Sequence, residues 1–154
     1  MGTSTNAILA YGCDLGGEED WKVREVDTFG GGLAVGWFDH EEDHFGTAVE
    51  NQLLAAAGFT ETDWEAHGYH ERRRDALATF GVEVVSHCCG SCTEYILTAH
   101  ERTAIRGYPE TVDPVELAVV QGDVDARLSR ALTALGLPPT QEAPVWLLAS
   151  YWSS

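Results

Sequence analysis

The alternation of apolar and polar residues predicts several short strands in the first third of the chain. Asn6–Gly12 is an apolar run between turn residues, which is typical of a buried strand. Asp14–Asp20 predicts a loop, and Trp21–Phe29 alternates imperfectly, as a strand with one irregularity would. Gly30-Gly31-Gly32 would then form a hairpin turn into a third strand at Leu33–Phe38. Glycine-rich phosphate loops are followed by a helix, whereas a strand is predicted here.

Two stretches that follow carry apolar residues at helical spacing. Glu41–Ala57 predicts a helix that ends at Gly58, and the acidic residues at its start would complement the helix dipole. A second helix would begin at Thr60 or Thr62 and end at Gly81.

The second half of the chain predicts a hairpin, a helix and a final strand. Val82–His87 and Glu94–Ile105 are the hairpin strands, and Cys88–Thr93 is the tight turn between them. Asp123–Leu135 predicts a helix because Val124, Leu128, Ala131 and Leu135 share one face. Pro144–Trp152 is apolar on both faces, so we expect it to lie centrally in the sheet, with its aromatic residues in the core.

This order of elements predicts an α+β fold. We expect a mostly antiparallel sheet of about five to six strands packed against about three helices. A hydrophobic content of 44% argues against disorder, and 154 residues are most simply one domain spanning residues 1–154.

Negative charge is concentrated in one part of the chain. The sequence has 25 acidic and 9 basic residues, for a net charge of −16. Residues 14–65 contain 14 acidic residues and two basic ones, and therefore carry −12 of this total. Such a balance disfavours direct binding to nucleic acid or to an anionic membrane, because both require a basic surface. It favours a protein partner with a basic surface.

We therefore interpret the chain as a non-enzymatic binding protein that uses an acidic surface within residues 14–65. A phage-encoded or defence-related inhibitor, or a mimic of nucleic acid, would explain the charge asymmetry. The residues expected to form this surface are Glu18, Glu19, Asp20, Asp39, Glu41, Glu42 and Asp43.

The whole chain, and especially three of its segments, resembles small acidic proteins of actinobacteria and their phages. The segments are NAILAYGCDLGG (6–17), GFTETDW (58–64) and VWLLASYW (145–152). The resemblance implies an intracellular or phage-encoded protein and assigns no catalytic residue. The N-terminus lacks the basic region of a signal peptide, so we expect a cytoplasmic protein.

Residues 40–44 (HEEDH) match the H-E-x-x-H pattern of zinc peptidases. In that pattern two histidines lie four residues apart on a buried helix. The two positions between the Glu and the second His are normally uncharged because that helix is buried. Here they are occupied by Glu42 and Asp43, and the motif lies at the polar start of a predicted helix. We therefore predict a solvated acidic helix start and no metallopeptidase.

The cysteine turn, Cys88–Cys92, carries the other candidate chemistry. Cys89 and Cys92 have the C-x-x-C spacing of metal and redox sites. His87 or Cys88 could supplement them as a zinc ligand, and Cys13 or His100 could approach in space. No second cysteine pair follows, and the turn joins two strands instead of starting a helix, as a thioredoxin-like site would. We predict a structural turn with reduced thiols and no cofactor, in which Cys88 and Cys89 point to opposite sides and Cys92 reaches one of them. A zinc-binding protein or an enzyme that uses this turn is the alternative.

One cluster of basic residues interrupts the acidic composition. His70, Arg73 and Arg74 could bind an anion such as phosphate, because the arginine side chain matches its geometry. Alternatively, the arginines of this segment pair with Glu71, Asp75 and the acidic first third of the chain.

Overall fold

The structure, a computed structural model, describes residues 4–24 and 31–153 and has the predicted α+β architecture. Within these ranges the strands are β1 (Ser4–Gly17), β2 (Asp20–Trp21), β3 (Glu83–Cys88), β4 (Thr93–Ala104) and β5 (Val145–Ser153). The helices are α1 (Phe45–Ala56), α2 (Tyr69–Ala78) and α3 (Pro114–Leu135).

Strand β1 organises the sheet, which is mostly antiparallel. It pairs with β4 on one side, and on the other side with β5 along its first part and with β2 at its end. Strand β3 pairs antiparallel with β4 and meets β5 at one parallel pair, Cys88 with Tyr151. The predicted β3–β4 hairpin is therefore confirmed.

Alternating residues of β1 supply two separate cores. The register with β4 shifts between Tyr11 and Gly12, and a side chain at Gly12 would collide with the carbonyl oxygen of Leu97. Ile8 and Ala10 pack in a small cluster on one face, whereas Tyr11 and Cys13 point to the other face and enter the main core. Strand β1 is thus buried on both faces, as its apolar sequence predicts.

Aromatic rings form one end of the main core. Trp21 contacts the rings of Phe38, Phe45 and Tyr95, with centroids 6.1, 5.0 and 6.0 Å away. Trp37 is half-buried and its indole N–H donates to the carbonyl oxygen of Leu135 at 2.8 Å. Trp37 and Phe38 therefore belong to the fold and fix the chain that precedes α1.

The helices agree with the predictions in position and differ in their starts. Helix α1 begins at Phe45, so its first turn contains no acidic residue and the predicted dipole compensation is wrong. Helix α2 begins after Gly68, whose φ of 75° suits glycine, and not at Thr60 or Thr62. Helix α3 begins nine residues earlier than predicted. Its predicted core face is confirmed, since all four residues are buried.

Several strand predictions need correction. Residues 14–17 extend β1 instead of forming a loop, because they pair with β4. Of the predicted strand 21–29, Trp21 belongs to β2, Val23 forms an isolated bridge, and residues 25–29, like Gly30, lie outside the described residues. Residues 33–38 form no strand. Strand β5 lies between β1 and β3, but it is not buried on both faces: Leu148 and Trp152 are 77% and 62% exposed.

Candidate functional site

Two turns meet at one end of the sheet. Gly17 at the end of β1 pairs with Glu94 at the start of β4, which brings the β1–β2 turn beside the cysteine turn. Between them lies a pocket of about 210 Å³. Its walls include Glu18 and Glu19 from the first turn, Cys92 from the second, and Glu94. Residues from the acidic segment and from the cysteine turn therefore share one site.

All seven residues expected to form the acidic surface are exposed. They lie in two segments, the β1–β2 turn and the loop 39–43 ahead of α1. Trp21 follows the first segment and Phe38 precedes the second, and their rings are in contact. The aromatic core thus holds both acidic segments on the same part of the molecule.

Three of the nine described cations pair with acidic residues outside the acidic surface. Within residues 4–24 and 31–153, the three ion pairs are Lys22–Asp14 at 2.9 Å, Arg72–Glu61 at 2.6 Å and Arg73–Glu50 at 3.0 Å. The three carboxylates all come from residues 14–65, and none of them is among the seven residues of the acidic surface. The interpretation that arginines of α2 pair with the acidic first third is confirmed for Arg72 and Arg73.

The loop 39–43 is closed by its own hydrogen bonds. The carboxylate of Asp39 accepts from the backbone N–H of Glu41 at 2.9 Å, and that of Asp43 accepts from the backbone N–H of Asp39 at 3.0 Å. The H-E-x-x-H residues therefore lie in a turn before α1, where His44 is the N-cap. A zinc peptidase requires both histidines on one helix, and this turn does not provide that arrangement.

The cysteine turn contains a disulfide between Cys89 and Cys92. Cys88 is a free, exposed thiol whose Sγ lies 3.3 Å from Sγ of Cys92. The prediction of reduced thiols is therefore wrong for this structure. So is the prediction that Cys92 reaches one neighbour, since it bonds to Cys89 and contacts Cys88.

The backbone conformation of Cys88 explains why Cys92 reaches both neighbouring cysteines. Its φ is 73°, and among the described non-glycine residues it has the one positive φ. The left-handed conformation breaks the strand alternation that would have sent Cys88 and Cys89 to opposite sides. Left-handed non-glycine residues are costly and concentrate at functional sites.

His87 does not join the cysteines. It lies with Asp14 and Glu94, where one ligand atom from each residue is within 4.8 Å of the others. The predicted set of His87, Cys89 and Cys92 is therefore not assembled. Lys22 already places its ammonium group against Asp14, and this hydrogen bond, with the charges of Asp14, Glu94 and Asp20, raises the pKa of Lys22.

The remaining cysteine lies apart from the turn. Cys13 is buried in the main core, and burial together with the charge of Asp125 raises the pKa of its thiol to about 11. A buried thiol of this kind is protonated at neutral pH and unreactive.

The three residues of the predicted anion site do not converge. Arg73 pairs with Glu50, whereas Arg74 lines a cavity of about 660 Å³ between α1, α2 and β3. His70 is exposed and its ring contacts that of Tyr69. The structure offers no common anion position to this group.

Comparisons of the chain with protein-family models, with curated proteins and with solved structures gave no match. In residues 4–24 and 31–153, no helix has the length and apolar character that crossing a membrane requires.

Proposed function

We propose that this is a cytoplasmic, non-enzymatic binding protein whose acidic surface engages a protein partner with a basic surface. One observation carries the proposal: the seven carboxylates of that surface are exposed and lie outside the ion pairs of the described residues. Opposite charge accelerates association and selects the partner. The same charge repels phosphates, so direct binding to nucleic acid is disfavoured. We favour a phage-encoded or defence-related inhibitor or a nucleic-acid mimic as the form of this protein.

The placement of the acidic segments supports this role. Both are short turns attached to buried aromatic residues, and the loop 39–43 is also fixed by its own hydrogen bonds. Carboxylates held in this way lose less conformational freedom on binding than those of a flexible tail would.

A short oligolysine peptide tests the surface by titration calorimetry. The first variant combines Glu18→Gln, Glu19→Gln and Asp20→Asn. The control combines Glu110→Gln, Glu116→Gln and Asp123→Asn, which removes the same charge from exposed positions at and near α3. We expect the first variant to bind about tenfold more weakly and the control to change by less than about twofold, because screening limits distant charges. Equal losses in both variants would show that net charge alone governs binding and would contradict the proposal.

Metal binding by the reduced cysteine turn is the second candidate function. The Sγ atoms of Cys88, Cys89 and Cys92 all lie within 4.8 Å of one another, and thiolates are preferred zinc ligands. A structural zinc site takes four ligands, so the fourth would come from outside this trio. One zinc ion per chain in protein purified under reducing conditions, lost on Cys89→Ser or Cys92→Ser, would establish this function.

A further inference from the structure

We propose that Cys88, Cys89 and Cys92 form a thiol–disulfide exchange site whose external substrate is a disulfide on a cationic molecule. This inference goes beyond the proposed binding function and does not depend on it; if it holds, the chain also carries an exchange activity and is not purely a binding protein. It rests on the contact between a free thiol and a disulfide, and on the carboxylates beside them.

The contact is suited to exchange. A disulfide is exchanged when a thiolate attacks one of its sulfur atoms. Sγ of Cys88 lies 3.3 Å from Sγ of Cys92, which is itself bonded to Cys89. The backbone of Cys88 is left-handed and departs from regular strand geometry, and in this conformation its Sγ contacts that of Cys92.

The internal step needs no other reactant. The Cys88 thiolate attacks Sγ of Cys92, the Cys88–Cys92 bond forms, and the Cys89–Cys92 bond breaks. The electron pair of the broken bond leaves on Cys89, which takes up a proton from water as Cys88 gives one up. Cys92 is therefore the shared sulfur, and the free thiol alternates between exposed Cys88 and half-buried Cys89.

The reduced turn would transfer two electrons to an external disulfide. Exposed Cys88 attacks first, forms a mixed disulfide and releases one substrate thiol. Cys92 then attacks Sγ of Cys88 and releases the second substrate thiol, which leaves a Cys88–Cys92 disulfide. Attack of Cys89 on Cys92 gives the Cys89–Cys92 disulfide of the structure and frees Cys88 again. A dithiol reductant would restore the three thiols for another cycle.

The pocket beside the turn selects the charge of the substrate. Glu18, Glu19 and Glu94 line it together with Cys92. The first two lie outside the ion pairs of the described residues, so their charges face whatever approaches the sulfur atoms. These carboxylates repel an anionic disulfide and attract a cationic one.

Single-turnover reduction of two small disulfides tests the proposal. The fully reduced protein is mixed with cystamine, which carries two positive charges, or with dithiodiglycolate, which carries two negative charges. We expect one disulfide consumed per chain, two thiols released, and a Cys89–Cys92 bond on peptide mapping. Cystamine should react about tenfold faster at low salt, and the pair Glu18→Gln, Glu19→Gln should reduce this ratio to about threefold.

Two cysteine variants separate the proposed roles. Cys88→Ser should react at least about tenfold more slowly and still end with a Cys89–Cys92 bond, because it lacks the exposed attacking thiol. Cys89→Ser should end with a Cys88–Cys92 bond. Circular dichroism of both variants confirms that the fold is retained.

Three results would overturn the proposal. The first is a Cys88→Ser rate equal to that of the wild type, and the second is a Cys89→Ser product without a Cys88–Cys92 bond. The third is one zinc ion held per reduced chain and lost on Cys88→Ser, which would assign the thiols to a metal site. Equal rates with cystamine and dithiodiglycolate would overturn the cationic substrate class. None of these results bears on oligolysine binding, so the two proposals fail separately.

Discussion

Tyr11 joins the sheet to helix α3 through a single hydroxyl group. Its Oη donates to the carboxylate of Asp125 at 2.6 Å, and its buried ring packs against Trp146 with centroids 5.1 Å apart. Burial, with the hydrogen bond and the charge of Asp125, raises the pKa of Tyr11 to about 12 from its ordinary value of 10.0. The folded state therefore holds this proton more tightly than the unfolded chain does.

This proton makes the stability contributed by Tyr11 dependent on pH. The contribution is complete below pH 10.0 and is lost as the pH rises toward about 12. We expect Tyr11→Phe to lower the free energy of unfolding by about 1–3 kcal/mol at pH 7, because the hydrogen bond to a charged group is lost. The difference from wild type should shrink at about pH 11. Urea unfolding at both pH values measures the difference in free energy of unfolding between the two proteins. Cys13 titrates in the same range, but it is present in both proteins, so its effect is expected to cancel in the difference. A difference that stays constant with pH would contradict the account.

The N-terminal half of helix α3 combines a side-chain cap with limited packing, in which partly buried Val120 contacts the main core. The side chain of Asp113 accepts from the backbone N–H of Val115 at 2.9 Å, and Pro114 occupies the first helical position. Val115 and Val119 are each 72% exposed, so they add little burial. The first buried residue of the helix is Val124.

Removal of this cap should loosen one end of the helix. We expect Asp113→Ala to cost about 1 kcal/mol locally and to accelerate amide hydrogen exchange of residues 117–121 about fivefold. Residues 128–135 should keep their protection, because their apolar face is buried. Asp123→Asn, which keeps a side chain of similar size and helix propensity at an exposed position within the helix, is the control and should leave both segments unchanged. Unaltered exchange at residues 117–121 in Asp113→Ala would show that something other than the cap holds this end.

At the scale of elements, the sequence predicts segments well where burial follows a simple period. The second half of α3 has an apolar stripe and is predicted correctly. Its first half is missed because Val115 and Val119 are exposed and Gly122 interrupts the pattern, although Asp113-Pro114 signals a helix start. The burial of strand β5 is predicted wrongly because apolar residues on both faces indicate burial, whereas Leu148 and Trp152 face solvent.

The candidate site could be predicted only in part. Each turn is visible in the sequence, but their meeting depends on the pairing of Gly17 with Glu94, which are far apart along the chain. The position of Cys88 could not be predicted either, because a left-handed cysteine contradicts the strand pattern around it. Strand pairing between residues far apart in the chain leaves little trace in a single sequence, and neither does a left-handed residue at the end of a strand.

At the scale of the molecule, unequal distribution of charge is the main feature. Lys22, Arg72 and Arg73 form ion pairs with acidic residues, and the chain still carries a net charge of −16. The acidic surface of seven carboxylates lies outside these pairs. A surface of this kind creates a negative potential that extends about 10 Å into solvent at 0.1 M salt. This potential would attract a partner with a basic surface before the two molecules come into contact.

The salt dependence of binding to the natural partner tests the central claim most directly. The partner is isolated with the wild-type chain, and its dissociation constant is measured at about 0.1 M and about 1 M salt, where the Debye length falls from about 10 Å to about 3 Å. The account predicts a basic partner whose affinity falls at least about tenfold over this range. It also predicts a much smaller salt effect when Glu18, Glu19 and Asp20 are neutralised. An affinity that stays constant from low to high salt would contradict binding through the acidic surface.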